Sequence, residues 1–294
     1  MKTPLRYAGG KSKAYKQLTN YLPSALLRNT NVKTIVSPFI GGGSMESRWS
    51  SELDIKVIGS DAFFALTNFY HHLLTNPIGL ANKLSDLSPD KNTYSKIKED
   101  LLSWSYTQDL LKDWKTSYYK RNPTELDDLT AASYFYYNHN LSYGPMYLGW
   151  ISKIYQDQKR WDKMVDSVRN YHNPKLEVHR KDFSDAITSH PNEFLYLDPP
   201  YYESGELFKP IYPNSNIPVL HAGFNHKHLR DLLDNHKGQF MLSYNDCEEV
   251  RELYKDYTLI TPTWSYSMGN GETRGRGEVV KKSHELLILK ACSE

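Results

Sequence analysis

The chain has 294 residues, 39% of them hydrophobic and 24% charged, with a formal net charge of +2. That length supports one large or two modest domains with a sizeable core, and the small net charge excludes a uniformly cationic coat while leaving room for a local basic patch. No apolar run is long enough to span a bilayer, the basic stretch Met1 to Lys16 lacks a signal-peptide segment, and Cys247 and Cys292 form no CxxC, so the expectation is a cytoplasmic protein with neither disulfide framework nor zinc site.

Tyr7-Ala8-Gly9-Gly10-Lys11 comes first. Two glycines before a helix let the backbone approach a ligand, and Lys11 places a cation there. Ser12 reads as an N-cap for a helix carrying Tyr15, Leu18 and Leu22 and ended by Pro23. Thr34 to Ser44 then reads as strand, glycine turn and helix start, with Met45 and Trp49 on the helix. The turn is neither a Walker loop nor GxGxxG. The next strand, Lys56 to Ser60, ends at Asp61, where an acid can bind the two hydroxyls of a ribose.

From about Thr67 to His172 tyrosine, tryptophan, lysine and asparagine dominate, with helical patterns over Leu80 to Leu87, Tyr94 to Trp104 and Leu110 to Tyr118. Thr124 with Asp127 resembles a loose capping box opening a helix through Tyr137. Asn138 to Tyr147 is expected to break into a loop. Its amides and rings, with Lys153, Lys159 and Arg160 following, suit insertion into a duplex and contact with base edges. An ordinary aromatic helical subdomain is the alternative.

After Pro174 an α/β rhythm resumes. A strand over Lys175 to Arg180 leads to Asp182-Phe183 and a helix through Ile187. The short apolar run Glu193 to Leu197 follows, a buried strand by its pattern, and ends in Asp198-Pro199-Pro200-Tyr201. Further on come a helix from Asn225 to His236, the strands Gln239 to Tyr244 and Tyr257 to Trp264, and a helix from Asp246 to Tyr254. A glycine-rich loop with Arg274 and Arg276 precedes a last strand, Glu285 to Lys290. His221, His226 and His228 have no Cys or carboxylate partner at ligand spacing, so no metal is expected.

Asp198-Pro199-Pro200-Tyr201 organises the rest. In open α/β sheets ligands bind beyond the carboxyl ends of the strands. Prolines fix φ and donate no N–H, which stiffens the turn. The corner offers a carboxylate, the Pro199 carbonyl and a flat ring, a match for a planar heterocycle bearing an NH2. An exocyclic amine is a poor nucleophile because its lone pair is delocalised into the ring. Two acceptors out of the ring plane favour a more tetrahedral nitrogen and aim the lone pair at an electrophile. A bland Asp-Pro-Pro turn with a packed tyrosine is the competing reading of the tetrapeptide alone.

Taken together, these segments resemble the D12-class, Dam-like adenine-N6 DNA methyltransferases. The resemblance rests on Tyr7 to Lys11, on Pro38-Phe39-Ile40-Gly41-Gly42-Gly43-Ser44, on Asp61, on Asp182-Phe183 and on Asp198 to Tyr201, in the family's order. It implies a Rossmann-like S-adenosylmethionine-dependent methyltransferase sheet, α/β in class, over residues 1–66 and 173–294. A mainly helical target-recognition domain, residues 67–172, would be inserted. Gly41 to Ser44 would approach the methionine part of the cofactor, Tyr7 to Lys11 would contact it from above, and Pro38 and Phe39 would open the loop. Asp61 would hold the ribose, and Asp182 and Phe183 would read the adenine. A target adenine, rotated out of double-stranded DNA, would stack on Tyr201 and place N6 against Asp198 and the Pro199 carbonyl. DNA contacts would fall to Asn140, Tyr143, Tyr147, Arg274 and Arg276. A cognate restriction endonuclease is the further partner if such an enzyme serves a restriction system, with a phage or solitary role as the alternatives.

Two departures matter. Family members usually carry an acid just before Pro-Phe, and here Ser37 stands there, which leaves Asp198 as the candidate to neutralise the amino end of the cofactor. The segment after Tyr143-Gly144 lacks the Asn-Val-Pro-x-Gly stretch of GATC-methylating members, so that recognition site is not assigned. Methylation of an RNA adenine or of cytosine N4, and an inactive DNA-binding relative, are the alternatives.

Overall fold

The computed structural model describes residues 1–7, 9–27, 34–107, 124–202, 224–262 and 285–290. Expectations for Ala8, Arg274, Arg276, the helix over Leu110 to Tyr118 and the loop Gly269 to Gly277 lie outside the described residues.

Among the described residues seven strands form one sheet in the order β3-β2-β1-β4-β5-β7-β6. They are β1 (Thr34–Ser37), β2 (Lys56–Asp61), β3 (Leu176–Arg180), β4 (Phe194–Leu197), β5 (Phe240–Asn245), β6 (Thr258–Ile260) and β7 (Glu285–Lys290). β1 to β5 run parallel, while β7 lies antiparallel between β5 and β6. Strand order reverses between β1 and β4, so this Rossmann-like sheet has its switch point where the glycine loop and Asp198 both emerge.

The strands at the middle of the sheet are buried on both faces, which is why they read as apolar runs. Their side chains still alternate. Ile35, Tyr196, Met241 and Leu287 enter one core, and Val36, Leu195, Leu197, Phe240, Leu242, Leu286 and Ile288 enter the other. The second core is closed by helices whose ranges are Phe183–Thr188, His226–Asn235 and Glu248–Leu253 (α9, α10 and α11), through Ile187, Leu229, Leu233 and Val250.

The first core is larger. It takes in the helices α1 (Tyr15–Asn20), α2 (Ser24–Leu27) and α3 (Glu46–Glu52). It runs on through α4 (Phe64–Thr75), α5 (Pro77–Ser85), α6 (Lys91–Thr107), α7 (Asp128–Leu141) and α8 (Gln158–Arg169). α4 packs on β2 and β3 as well as on α7, and it straddles the boundary expected at residue 66. The aromatic-rich segment thus shares its core with the sheet, through Phe69, Phe135, Tyr136 and Trp161.

Three local expectations differ from the fold. Lys11 occupies the N-cap position expected for Ser12, which instead begins a short 3-10 turn. Asp127 is the N-cap of α7, its Oδ1 accepting the Thr130 N–H at 2.9 Å, whereas Thr124 lies outside the helix and donates its own N–H to Ser103 Oγ. Finally, α7 continues through Asn138, His139 and Asn140 to Leu141. These residues favour loops in isolation, but burial against neighbouring helices overrides propensity. No helix among the described residues is long and apolar enough to cross a membrane.

Candidate active site

The glycine loop leaves β1 at Ser37 and re-enters helix at Glu46. Gly41 has φ of 46° and Gly43 of 60°, left-handed values that favour glycine. A Cβ on Gly42 would run into the Tyr7 side chain, and one on Gly43 into the Tyr70 hydroxyl. The bare backbone lets Tyr7 lie across the loop, and the Tyr70 hydroxyl donates to the Gly41 carbonyl at 3.2 Å. Gly43→Ala combines a disfavoured φ with a clash, so it should cost about 1–3 kcal/mol of stability, read as a lowered denaturant midpoint.

Asp61 ends β2 and ties two turns together. Its Oδ1 accepts the Phe63 N–H at 2.9 Å and its Oδ2 the Gly41 N–H at 3.3 Å. Burial pushes its carboxyl up to about 6, against the pull of these backbone donors. Beside the loop, Phe39, Phe183 and Phe224 form an aromatic wall with ring centroids 5.1–5.6 Å apart. Asp182 is exposed and caps α9, accepting the Ser184 N–H at 2.9 Å.

At the end of β4 the tetrapeptide meets the N-terminal segment. Lys11 is buried, and its ammonium donates to Asp198 Oδ1 and Oδ2 at 2.6 and 2.7 Å and to the Tyr201 hydroxyl at 3.1 Å. The Tyr201 hydroxyl donates in turn to Glu285 Oε1 at 2.5 Å, and Glu285 lies 3.6 Å from the Lys11 ammonium. Burial pushes the Asp198 carboxyl above its ordinary range; Lys11 opposes that shift and Glu285 adds to it. Asn245, at the end of β5, accepts the Tyr202 N–H at 2.9 Å and donates to the Tyr202 carbonyl at 3.0 Å, which fixes the chain just past the tetrapeptide.

The fold therefore gathers Tyr7, Lys11, the glycine loop, Asp61, Phe183 and Asp198 to Tyr201 around one switch point. Lys11 bridges the glycine segment to the tetrapeptide instead of staying with the loop. Glu285 went unnoticed in the sequence, although an acid opening the otherwise apolar run Glu285 to Leu289 was its signal.

Of the residues expected to face DNA, two are interior. Asn140 is fully buried, with its Oδ1 accepting the Arg6 N–H at 2.8 Å. Tyr147 is buried and bonded to the Ser105 hydroxyl. Both are drawn inward because α7 runs on to Leu141 and the following turn folds back over it. Asn138 holds that turn, accepting the Leu148 N–H at 2.7 Å where Leu148 takes a φ of 56°. Tyr143 does reach the surface, at 60% exposure, and is bonded through its N–H to the Trp150 carbonyl. Trp150, 73% exposed with the Lys98 ammonium over its ring, and Ile154 extend this surface.

A seven-stranded sheet of this order, with a glycine loop and an acid-proline corner at the switch point, is consistent with a Rossmann-like methyltransferase fold. The chain belongs to the D12 class N6 adenine-specific DNA methyltransferase family, whose model matches residues 7–268. It is 26% identical to the modification methylase StsI of Streptococcus sanguinis over 97% of this chain, and spans 43% of that protein. It is 23% identical to the type II methyltransferase M.MjaIII of Methanocaldococcus jannaschii over 67% of this chain and 68% of that one.

Proposed function

We propose that this chain is a site-specific methyltransferase that moves a methyl group from S-adenosylmethionine to N6 of an adenine rotated out of duplex DNA. The observation that carries the reading is the acid-proline corner after β4, closed over by Lys11 and set beside the glycine loop at the switch point. The residues present fit the cofactor. A loop stripped of side chains suits its chain, the buried Asp61 suits a ribose, and the Phe39, Phe183 and Phe224 wall suits a purine. When bound, S-adenosylmethionine supplies an activated methyl group.

The protein's own part is to hold and orient the amine. The Lys11 ammonium already donates to both Asp198 oxygens, so the corner accepts N–H donors in the geometry an amino group needs. A target amine takes over at least one of these oxygens, with the Pro199 carbonyl as the second acceptor and Tyr201 as the stacking face. Glu285 holds the Tyr201 hydroxyl and so sets the tilt of that ring. Holding two reactants at near-attack distance is worth about 7–11 kcal/mol.

The exposed face of Tyr143 and Trp150 is the surface that meets DNA, with residues 67–172 serving target recognition. Stacking rings contribute about 1–3 kcal/mol per base. Tyr143→Ala and Trp150→Ala should each weaken duplex binding about tenfold in a gel-shift titration, with cofactor affinity unchanged. A restriction-modification setting, with a cognate endonuclease as partner and the cytoplasm as location, is part of the same proposal, and the names of the two relatives support it.

Incubation with unmethylated duplex DNA and tritiated S-adenosylmethionine, followed by digestion, tests the reading. Label in N6-methyladenine supports it. Label in N4-methylcytosine, label only with RNA, or cofactor binding without transfer would each replace it.

A further inference from the structure

Glu46 is a buried carboxylate that the chemistry above does not use. It opens α3 where the chain returns from the glycine loop, and its Oε1 accepts the Ser37 hydroxyl at 2.7 Å, where the chain leaves β1. That bond closes the base of the loop at the switch point. Both residues are buried, Glu46 at 2% exposure. Among the described residues no lysine or arginine is ion-paired with Glu46. The titratable groups acting on it from the packed elements are Asp198 beyond β4, Tyr70 on α4 and Tyr171 after α8, none of them cationic. A buried carboxylate without a counter-charge is costly to keep unless a cation arrives.

We propose that the Ser37–Glu46 pair is the anchor for the α-ammonium of the cofactor's amino-acid end, standing in for the acid that family members carry at position 37. The inference rests on the reading of S-adenosylmethionine as cofactor. Glu46 is the one carboxylate between Ser37 and Ser51, and it reaches back across the loop to the same strand end. Tyr7 lies against Gly41 and Gly42, and Lys11 crosses to Asp198. In the proposal these two side chains move aside as the ligand reaches the carboxylate. Asp198 is thereby released from the cofactor's amino end and left to the target amine.

Burial pushes the Glu46 carboxyl up to about 7, with Asp198 adding to the shift. An ammonium placed against it favours the ionised form, so binding below that pH expels a proton. Affinity should then rise about tenfold per pH unit up to pH 7 and level off above it.

The test is calorimetric titration with two ligands, S-adenosylhomocysteine, which carries the α-ammonium, and methylthioadenosine, which lacks the amino-acid end. Wild-type protein should release close to one proton with the first ligand at pH 6, read from buffers of different ionisation enthalpy, and none with the second. Glu46→Gln should weaken S-adenosylhomocysteine at least tenfold, abolish the proton release and leave methylthioadenosine unchanged. Adding Ser37→Asp to that variant should restore S-adenosylhomocysteine affinity. Equal loss of both ligands, or undiminished binding of S-adenosylhomocysteine by Glu46→Gln, overturns the assignment while the methyltransferase reading stands. A wild-type protein that binds neither ligand overturns both. The wild-type proton count needs no variant, so it decides the matter even if a substitution fails to fold.

Discussion

Replacing Asp198 with alanine is expected to lower the single-turnover rate of methyl transfer about a thousandfold, with cofactor affinity within about threefold of wild type. The nitrogen gains positive charge as its lone pair engages the methyl carbon, and Asp198 is the charged acceptor facing it. Loss of one preorganised group of this kind costs roughly a hundred- to a thousandfold. The upper end applies here because removing the acid leaves the Lys11 ammonium in the corner, 3.6 Å from Glu285. With its partner acid gone, that cation repels the positive charge developing on the nitrogen. Asp198→Asn, which keeps an acceptor oxygen and the shape, should recover part of the rate. Cofactor affinity is spared because Glu46, not Asp198, meets the ammonium. Parallel loss of rate and affinity in Asp198→Ala would contradict this division.

The second expected result is a gain. Without cofactor, Glu46→Gln should make the protein more stable by about 3 kcal/mol at pH 8 and by almost nothing at pH 4.5. The sign follows from where the proton sits. The carboxyl is raised from 4.5 in the unfolded chain to about 7 in the fold. Between those values the folded state holds a proton that the unfolded state has lost, so stability falls as pH rises through the interval. Above it the full cost of a buried carboxylate is present, and below it both states are protonated. Glutamine keeps an acceptor for the Ser37 hydroxyl but never ionises. Urea midpoints at the two pH values check this, and a variant equally or less stable at pH 8 would contradict it. A residue that weakens the empty fold and strengthens ligand binding has the profile expected of a site held ready for its ligand.

What could be read from the sequence was whatever is local. The apolar runs of β1, β2 and β4 announce buried strands, and the glycines and Asp198-Pro199-Pro200-Tyr201 stand directly at their ends. Their convergence on one switch point follows from the parallel order of the sheet. What escaped reading was whatever depends on distant chain segments meeting. Lys11 reaches Asp198 across 187 positions of sequence, and Glu285 reaches Tyr201 only because β7 lies beside β5. Nothing in the spacing of these residues encodes either meeting. Glu46 was closer to legible, since an acid is missing at Ser37 and one stands nine positions on. Asn140 and Tyr147 misled for another reason. Amides and rings that suit a nucleic-acid surface equally suit an interior that offers them hydrogen bonds, as Arg6 does to the Asn140 Oδ1 and Ser105 to the Tyr147 hydroxyl. Trp150 carried no local mark of the exposure it has in the fold.

The most direct measurement is the sequencing of modified bases in DNA from cells expressing the wild-type chain beside cells expressing Asp198→Ala. N6-methyladenine at one short recurring sequence, present with the wild type and gone with the variant, is the result this account predicts. Modified cytosine in its place, or an adenine mark that survives the loss of Asp198, would contradict it.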